Sequence, residues 1–323
     1  MSGNYKFVSL QVCDSMTSST VQPSLTVSSA SLGKTKRRFI ISLSIVSLVG
    51  FSLAIYQVFT TRIGLLEISL FLLMSACSAI GITVGFHRYF SHKAFKTTRT
   101  IEIILAILGS MAGQGSVTSW VSVHRCHHKY SDQLGDPHSP HLHGEGLRGR
   151  VLGLWYAHLG WLLNDDLPNS LVFAKDMIQD RTMVVINRFY ILWLALGLLI
   201  PAMLGGLLTG TWHGVFQGFI WGGLARLFWT FHSGYTINSV AHVFGNSFLK
   251  SDDNSKNNLL LALPTYGEGW HNNHHAFPQS AKFGLKWWQI DLGYWFIKVL
   301  QWIGLAWDVK IPSNEMIEAK KIV

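Results

Sequence analysis

The sequence predicts an all-α integral membrane fold: four transmembrane helices paired into two hairpins beneath a cytoplasmic helical cap. Three observations carry that prediction. Of 323 residues, 49% are hydrophobic and only 13% charged, where a soluble chain carries about 25% charged residues. Mean hydropathy is positive, at +0.27. The long apolar runs come in two close pairs, each joined by a link too short for anything but a turn back.

Taken in order, residues 1–38 are rich in Ser and Thr and close on Lys34, Lys36, Arg37 and Arg38. With little to bury, they read as a disordered cytoplasmic tail. Phe39 to Phe59 and Ile63 to Phe86 are apolar stretches, each long enough to cross a hydrocarbon core of about 30 Å at about 1.5 Å per residue. Only Thr60, Thr61 and Arg62 separate them. Tyr190 to Thr209 and Val215 to Ile237 make the second hairpin across Gly210–Gly214. Lys and Arg before the first span and after the second (Arg88, Lys93, Lys96, Arg99) place both termini and the long connections in the cytoplasm. Ile101 to Val117 is marginal in length and interrupted by Gly109, Gly113 and Gly115, so it reads as a re-entrant or cap-buried helix. Residues 283–307 carry five tryptophans among scattered charges. That mixture fits either a helix lying at the membrane interface or a Trp-rich packing helix of the cap. The membrane domain thus runs over 39–312, with 313–323 as a C-terminal tail.

The net charge of +9 raises the question of nucleic acid. The basic residues flank apolar runs instead of clustering on a soluble face, which argues for membrane anchoring and against a nucleic-acid partner. The three cysteines, Cys13, Cys77 and Cys126, are scattered and lack metal or redox spacing. No organelle address is evident, which points to a bacterial inner membrane; endoplasmic reticulum and plastid membranes stay open.

Chemistry is expected where the spans end. His87 and His92 follow the second span, and His124, His127 and His128 form H-R-C-H-H. Asn238 and His242 lie in N-S-V-A-H, and His271, His274 and His275 in H-N-N-H-H. Residues three and four apart share a helix face, so each of the last three groups converges. His87 and His92, five apart, diverge by about 140° on a straight helix, which fits a helix end reaching round one ion from two sides. A lone histidine near a span end is ordinarily an interfacial residue. Three clusters and an N-x-x-x-H on one membrane side instead supply ten donors, enough for two metal ions. Imidazole alone does not choose among zinc, copper, iron and nickel. A structural zinc site would close at four ligands and usually include cysteine. Paired histidine-rich sites beside apolar helices fit a redox metal acting on O2 and lipid, and iron fits best.

These motifs resemble the membrane fatty acyl desaturases, the Δ9 stearoyl-CoA and acyl-lipid group in particular. The likeness runs over about 39–312 and rests on G-F-H-R-Y-F-S-H from Gly85, H-R-C-H-H-K-Y-S-D from His124, and D-P-H at Asp136. It continues through H-L-G-W-L from His158, N-S-V-A-H from Asn238, and G-E-G-W-H-N-N-H-H-A-F-P from Gly267. The resemblance implies a cap holding a di-iron site. One iron would use His87, His92, His124, His128 and His274; the other His127, His242, His271 and His275, with Asn238 holding a water. His138 and His158 match positions that support ligands; His141, His143, His213 and His232 match none. It also implies O2-dependent insertion of a cis Δ9 double bond into a long acyl chain, with no catalytic side chains beyond the metal ligands. Substrate would be an acyl thioester or acyl lipid.

Electrons would come from an external ferredoxin or cytochrome b5-type donor, because the chain has no flavin, nicotinamide or iron–sulfur fingerprint. Animal acyl-CoA enzymes have an Arg-Asp pair where Ser122 and Val123 stand here, and a tryptophan at Tyr235, which leaves CoA, acyl carrier protein and glycerolipid open as carriers. The same boxes would serve an acetylenase or hydroxylase. A metal transporter, the alternative from another class, would place its ligands near the bilayer midplane, not at span ends.

Overall fold

The computed structural model describes residues 24–322. The tail expected over 1–38 lies outside the described residues as far as 23. From Thr26 onward the chain is ordered into elements, contrary to that expectation. Strand β1 (Thr26–Ser28) leads into helix α1 (Ala30–Thr60), which therefore starts at Ala30 instead of Phe39. The early start has a local cause. Arg37 reaches Asp165 at 2.5 Å and Lys36 donates to the Asn164 carbonyl, so the basic turn is fastened instead of solvated.

Helix α2 (Leu65–Ala79) continues without a break as a π-helical segment, Ile80–Ser91. A two-residue strand β2 (Lys96–Thr97) precedes α3 (Arg99–Met111), and α4 (Val117–Tyr130) follows. The thirteen residues of α3 rise only about 20 Å, too short for a crossing, in line with the buried helix expected there. It stops because Gly113 and Gly115 take φ of +79° and +108°, a left-handed region closed to most residues. Its register against the π segment rests on a glycine contact. A methyl added to Gly81 would run into the backbone of Leu108 and Gly109.

Short helices α5 (Gly146–His158), α6 (Ser170–Phe173), α7 (Lys175–Gln179) and α8 (Arg181–Arg188) come next, with strand β3 (Asp166–Pro168) pairing antiparallel to β1. Helix α9 (Tyr190–Thr209) turns back at Gly210 into α10 (Trp212–Gly218), a π-helical Phe219–Ala225, and α11 (Arg226–Ser239), one continuous rod. The chain closes with α12 (Leu259–Ala262), α13 (His271–Ala276), α14 (Leu292–Trp302), strand β4 (Ala306–Trp307) paired to β2, and α15 (Asn314–Lys320). Residues 313–323, expected as a tail, contain α15 and return to bond Phe248 and Lys250.

Among the described residues, three helices are long and apolar enough to cross a membrane: Gly33–Thr60, Leu65–Ser91 and Tyr190–Thr209. The rod over 212–239, the fourth expected span, is helical but less apolar, carrying Gln217, Arg226 and His232. Arg226 is fully buried and donates to the carbonyls of Met111 at 3.1 Å, Gly197 at 2.5 Å and Gly222 at 3.1 Å, and to Ser78 Oγ at 3.3 Å. One guanidinium thus ties α2, the end of α3, α9 and its own helix together, which accounts for a charge in an apolar rod. Replacing Gly81 by Val forces α3 off the π segment and lowers stability by about 1–3 kcal/mol. Thermal unfolding in detergent reads this as a lower apparent midpoint; an unchanged midpoint contradicts the contact.

Candidate metal centre

The histidines sit where elements end. His87 lies near the end of the π segment and His92 just after it; His124, His127 and His128 occupy the last turns of α4. His242 follows α11 in one 3-10 turn, and His271, His274 and His275 share α13. The five-residue spacing of His87 and His92 resolves differently from the straight-helix expectation. In a π-helix the amide of residue i+5 bonds the carbonyl of residue i, and His92 N–H donates to the His87 carbonyl at 3.2 Å. The wider turn brings both rings to one side, with centroids 5.1 Å apart, so they do not flank the centre from opposite directions.

Two groups form. His87, His92, His124, His128 and His274 bring one ring nitrogen each within 4.8 Å of the others, and so do His127, His242, His271 and His275. In the first, Nε2 atoms face each other at 2.7 Å (His92–His124), 2.9 Å (His87–His274) and 2.8 Å (His128–His274). In the second, His242 and His271 do so at 3.0 Å. Asn238 is half-buried one turn before His242 on α11.

The outer nitrogens explain why the inner ones converge. His87 Nδ1 donates to Glu268 at 2.5 Å, His127 to Asp136 at 3.0 Å, His242 to Asp132 at 3.0 Å, and His275 to Asp253. With the proton held on Nδ1, each Nε2 presents a lone pair inward, the arrangement carboxylates impose on metal-ligating imidazoles. Burial alone would raise these four carboxyls. The donating imidazoles, joined by Arg88 at Glu268, outweigh it and hold all four below their usual range. Burial, then the neighbouring rings, pushes His92, His124, His128, His271 and His274 well below the ordinary histidine value. Burial likewise lowers His275, to about 4. His127 goes up, because Asp136 outweighs its burial.

These residues fit a cation. His127 Nε2 and His275 Nε2 are buried without a hydrogen-bond partner, and His274 Nε2 faces the Nε2 atoms of both His87 and His128, although a ring nitrogen can give or take only one such hydrogen bond. His127, Asp136 and His138 also lie within 4.8 Å. Asp136, however, is engaged with His127 Nδ1 and with the amides of Asp132 and His138, so it orients a ring instead of offering a third centre.

The remaining histidines lie outside both groups. His141 reaches the His242 carbonyl at 2.9 Å, His143 lies tilted against the Tyr156 ring, His158 bonds Ser239 and His232, and His213 bonds Gln217. Sequence reasoning missed the orienting role of Asp132, Asp136, Asp253 and Glu268. Glu268 stands three residues before His271 and Asp132 four after His128, so a search for carboxylates close to the boxes would have found them. Asp253, in the loop before α12, gives no such signal.

An apolar pocket adjoins the first group, walled by Ala79, Ile82, Trp229, Ile237 and Pro264. Two of its walls lead to histidines. Thr83 and Glu268 reach it from behind His87. Gln114 lines it too and accepts from Trp120 Nε1 at 3.2 Å, while the Trp120 ring stacks on His124 at 4.9 Å. A chain of methylenes in this pocket would lie one side chain away from the first group.

Comparison with known proteins agrees with this geometry. The fatty acid desaturase family model matches residues 65–300, which include every histidine box. A hex-5-enoyl-[acyl-carrier protein] acetylenase from Moorena producens (strain JHB) is 49% identical over 303 residues, 93% of this chain and 94% of that protein. An sn-1 stearoyl-lipid 9-desaturase from Synechocystis sp. is 39% identical over 256 residues, 77% and 73% of the two chains. An acyl-CoA 5-desaturase from Anemone leveillei is 36% identical over 246 residues, 75% and 71% of the two. The chain is a membrane enzyme that acts on fatty acyl substrates, and it belongs to the fatty acid desaturase family.

Proposed function

We propose that this protein removes two hydrogens from adjacent carbons of a fatty acyl chain at the expense of O2, using two iron ions. The observation that carries the reading is the approach of the apolar pocket to the first histidine group through two of its lining residues, Glu268, which bonds His87, and Gln114, which bonds the Trp120 stacked on His124. His87, His92, His124, His128 and His274 would hold one ion, and His127, His242, His271 and His275 the other, with Asn238 placing a water beside the second. Iron, when bound, supplies the redox chemistry by which O2 becomes able to take hydrogen from an unactivated methylene. Two hydrogens from the chain, two electrons and two protons, with one O2, balance to an unsaturated bond and two waters. The electrons require an external donor of ferredoxin or cytochrome b5 type.

The protein's own part is positioning. The four carboxylates fix the tautomers of His87, His127, His242 and His275, and the pocket would decide which carbons approach the histidine groups. Glu268, the carboxylate in the pocket wall, is committed to His87 and Arg88, so its part is to hold the His87 ring in place.

A saturated long-chain substrate and a cis Δ9 product are supported by the stearoyl-lipid 9-desaturase relatives. A triple bond made on an already unsaturated, carrier-protein-bound chain is the second reading, favoured by 49% identity to an acetylenase along nearly the whole chain. Ser122 supports a carrier other than CoA. It stands where the animal acyl-CoA enzymes have arginine, and it is buried with its hydroxyl donating to the Pro168 carbonyl. The membrane arrangement that fits the charges is four spans, the rod over 212–239 being the fourth, with a helical cap, both termini and the histidines in the cytoplasm of a bacterial inner membrane.

Expressed in a host lacking unsaturated fatty acids, the protein yields acyl chains lighter by two hydrogens, read by gas chromatography and mass spectrometry. His127→Ala and His274→Ala each abolish them. A product heavier by one oxygen overturns the proposed reaction, and survival of the product in either variant overturns the ligand assignment. Asp253→Ala, which frees His275 Nδ1, weakens iron retention about 10–100-fold, measured by metal analysis after dialysis against graded chelator. Wild-type retention contradicts its orienting role.

A further inference from the structure

Helix α14 is apolar on two opposite faces. Gly293, Ile297 and Leu300 point inward and are buried, while Trp295, Val299 and Trp302 form an outward stripe at spacings of four and three. That stripe is open: Trp295 is 53%, Val299 52% and Trp302 86% exposed. Just before it, Trp287 is 96% exposed. Apolar surface of this extent on an ordered helix calls for a partner.

Three observations say which partner. Between Phe283 and Trp307 the only carboxylate is Asp291, which is 1% exposed and bound to Arg88 at 2.9 Å. The outer surface therefore carries Lys286 and Lys298 with no opposing charge, a pairing that attracts anionic headgroups. The polar residues Tyr294, Lys298 and Gln301 share one edge of α14, and Lys298 Nζ bonds Gln301 at 2.7 Å. Tryptophan stripes with lysine at their edge belong where hydrocarbon gives way to water. Finally, α14 is seated on the end of an apolar span. It packs on the π segment, and Gly293 bonds Tyr266 and lies against Arg88, about one turn before that span ends at Ser91. Its level along the span is that of the span's mouth.

We propose that the outward stripe of α14, with Trp287, is embedded in the interfacial layer of an anionic phospholipid bilayer, on the side where the histidines stand. The histidine-bearing part is then held to the membrane by this helix as well as by the spans. Its orientation fixes how the metal centre faces the lipid. Nothing in this placement depends on which acyl product is made.

The test uses the full chain in phosphatidylcholine–phosphatidylglycerol vesicles, with Cys13, Cys77 and Cys126 replaced. A fluorophore is attached through Val299→Cys, Trp302→Cys or Gln301→Cys. Labels at 299 and 302 are expected to be quenched by shallow doxyl-lipid and shielded from aqueous iodide several-fold relative to 301. Equal iodide quenching at all three positions overturns the proposal, because the stripe then faces water. Shielding at 299 and 302 from both quenchers also overturns it, since a protein surface then covers the helix. Retained iron content in each labelled protein confirms that the fold is intact, and Trp287→Cys repeats the measurement off the helix.

Discussion

Nine imidazoles turned toward one another in a buried space are the constraint on which the rest of this structure depends. A buried polar group without a partner costs free energy, and lone pairs that face each other cost more. The protein accepts this at His127 and His275, whose Nε2 atoms have no partner. It can do so because Asp136 and Asp253 hold the opposite nitrogens. At His87, His127, His242 and His275 the inner nitrogen is thus maintained by an outer acceptor, and each acceptor by a further contact. Asp132 also takes the Asn254 amide and the Ser139 hydroxyl, and Glu268 is braced by Arg88.

This chain of support explains features that look unrelated. Arg88 is fully buried because it lies between Glu268 and Asp291, with its guanidinium 3.8 Å from the centre of the Phe283 ring. Asp291 in turn caps α14 and accepts from the Phe283 and Gly284 amides. The helix on the outer surface and the ring of His87 are therefore joined through two ion pairs. Arg226 plays a comparable part deeper in the fold. By bonding Met111 it fixes the end of α3, from which the chain turns through Gln114 into α4 and its three histidines.

Much of this was legible in the residues. Apolar lengths located the three candidate spans, and the three- and four-residue spacings in α4 and α13 turned their histidines toward one region, which the structure divides into His124, His128 and His274 in the first group and His127, His271 and His275 in the second. The glycines at 109, 113 and 115 marked α3 as too broken to cross. What escaped was non-local or depended on an altered helical period. The five-residue gap between His87 and His92 has no meaning at 3.6 residues per turn and becomes one turn only in the π segment. The carboxylates come from separate loops, and only chain folding brings Asp253 to His275. The ordering of residues 24–38 and of α15 comes from contacts with residues 164–169 and 248–250, distant in sequence and invisible to composition.

The most direct test is X-ray absorption at the iron edge of protein purified under reducing, anaerobic conditions and loaded with ferrous iron. The account predicts about two irons per chain, a first shell of nitrogen and oxygen only, and the multiple scattering of several imidazoles on each. A sulfur shell, or iron bound at well under one ion per chain while zinc fills the protein, would contradict it.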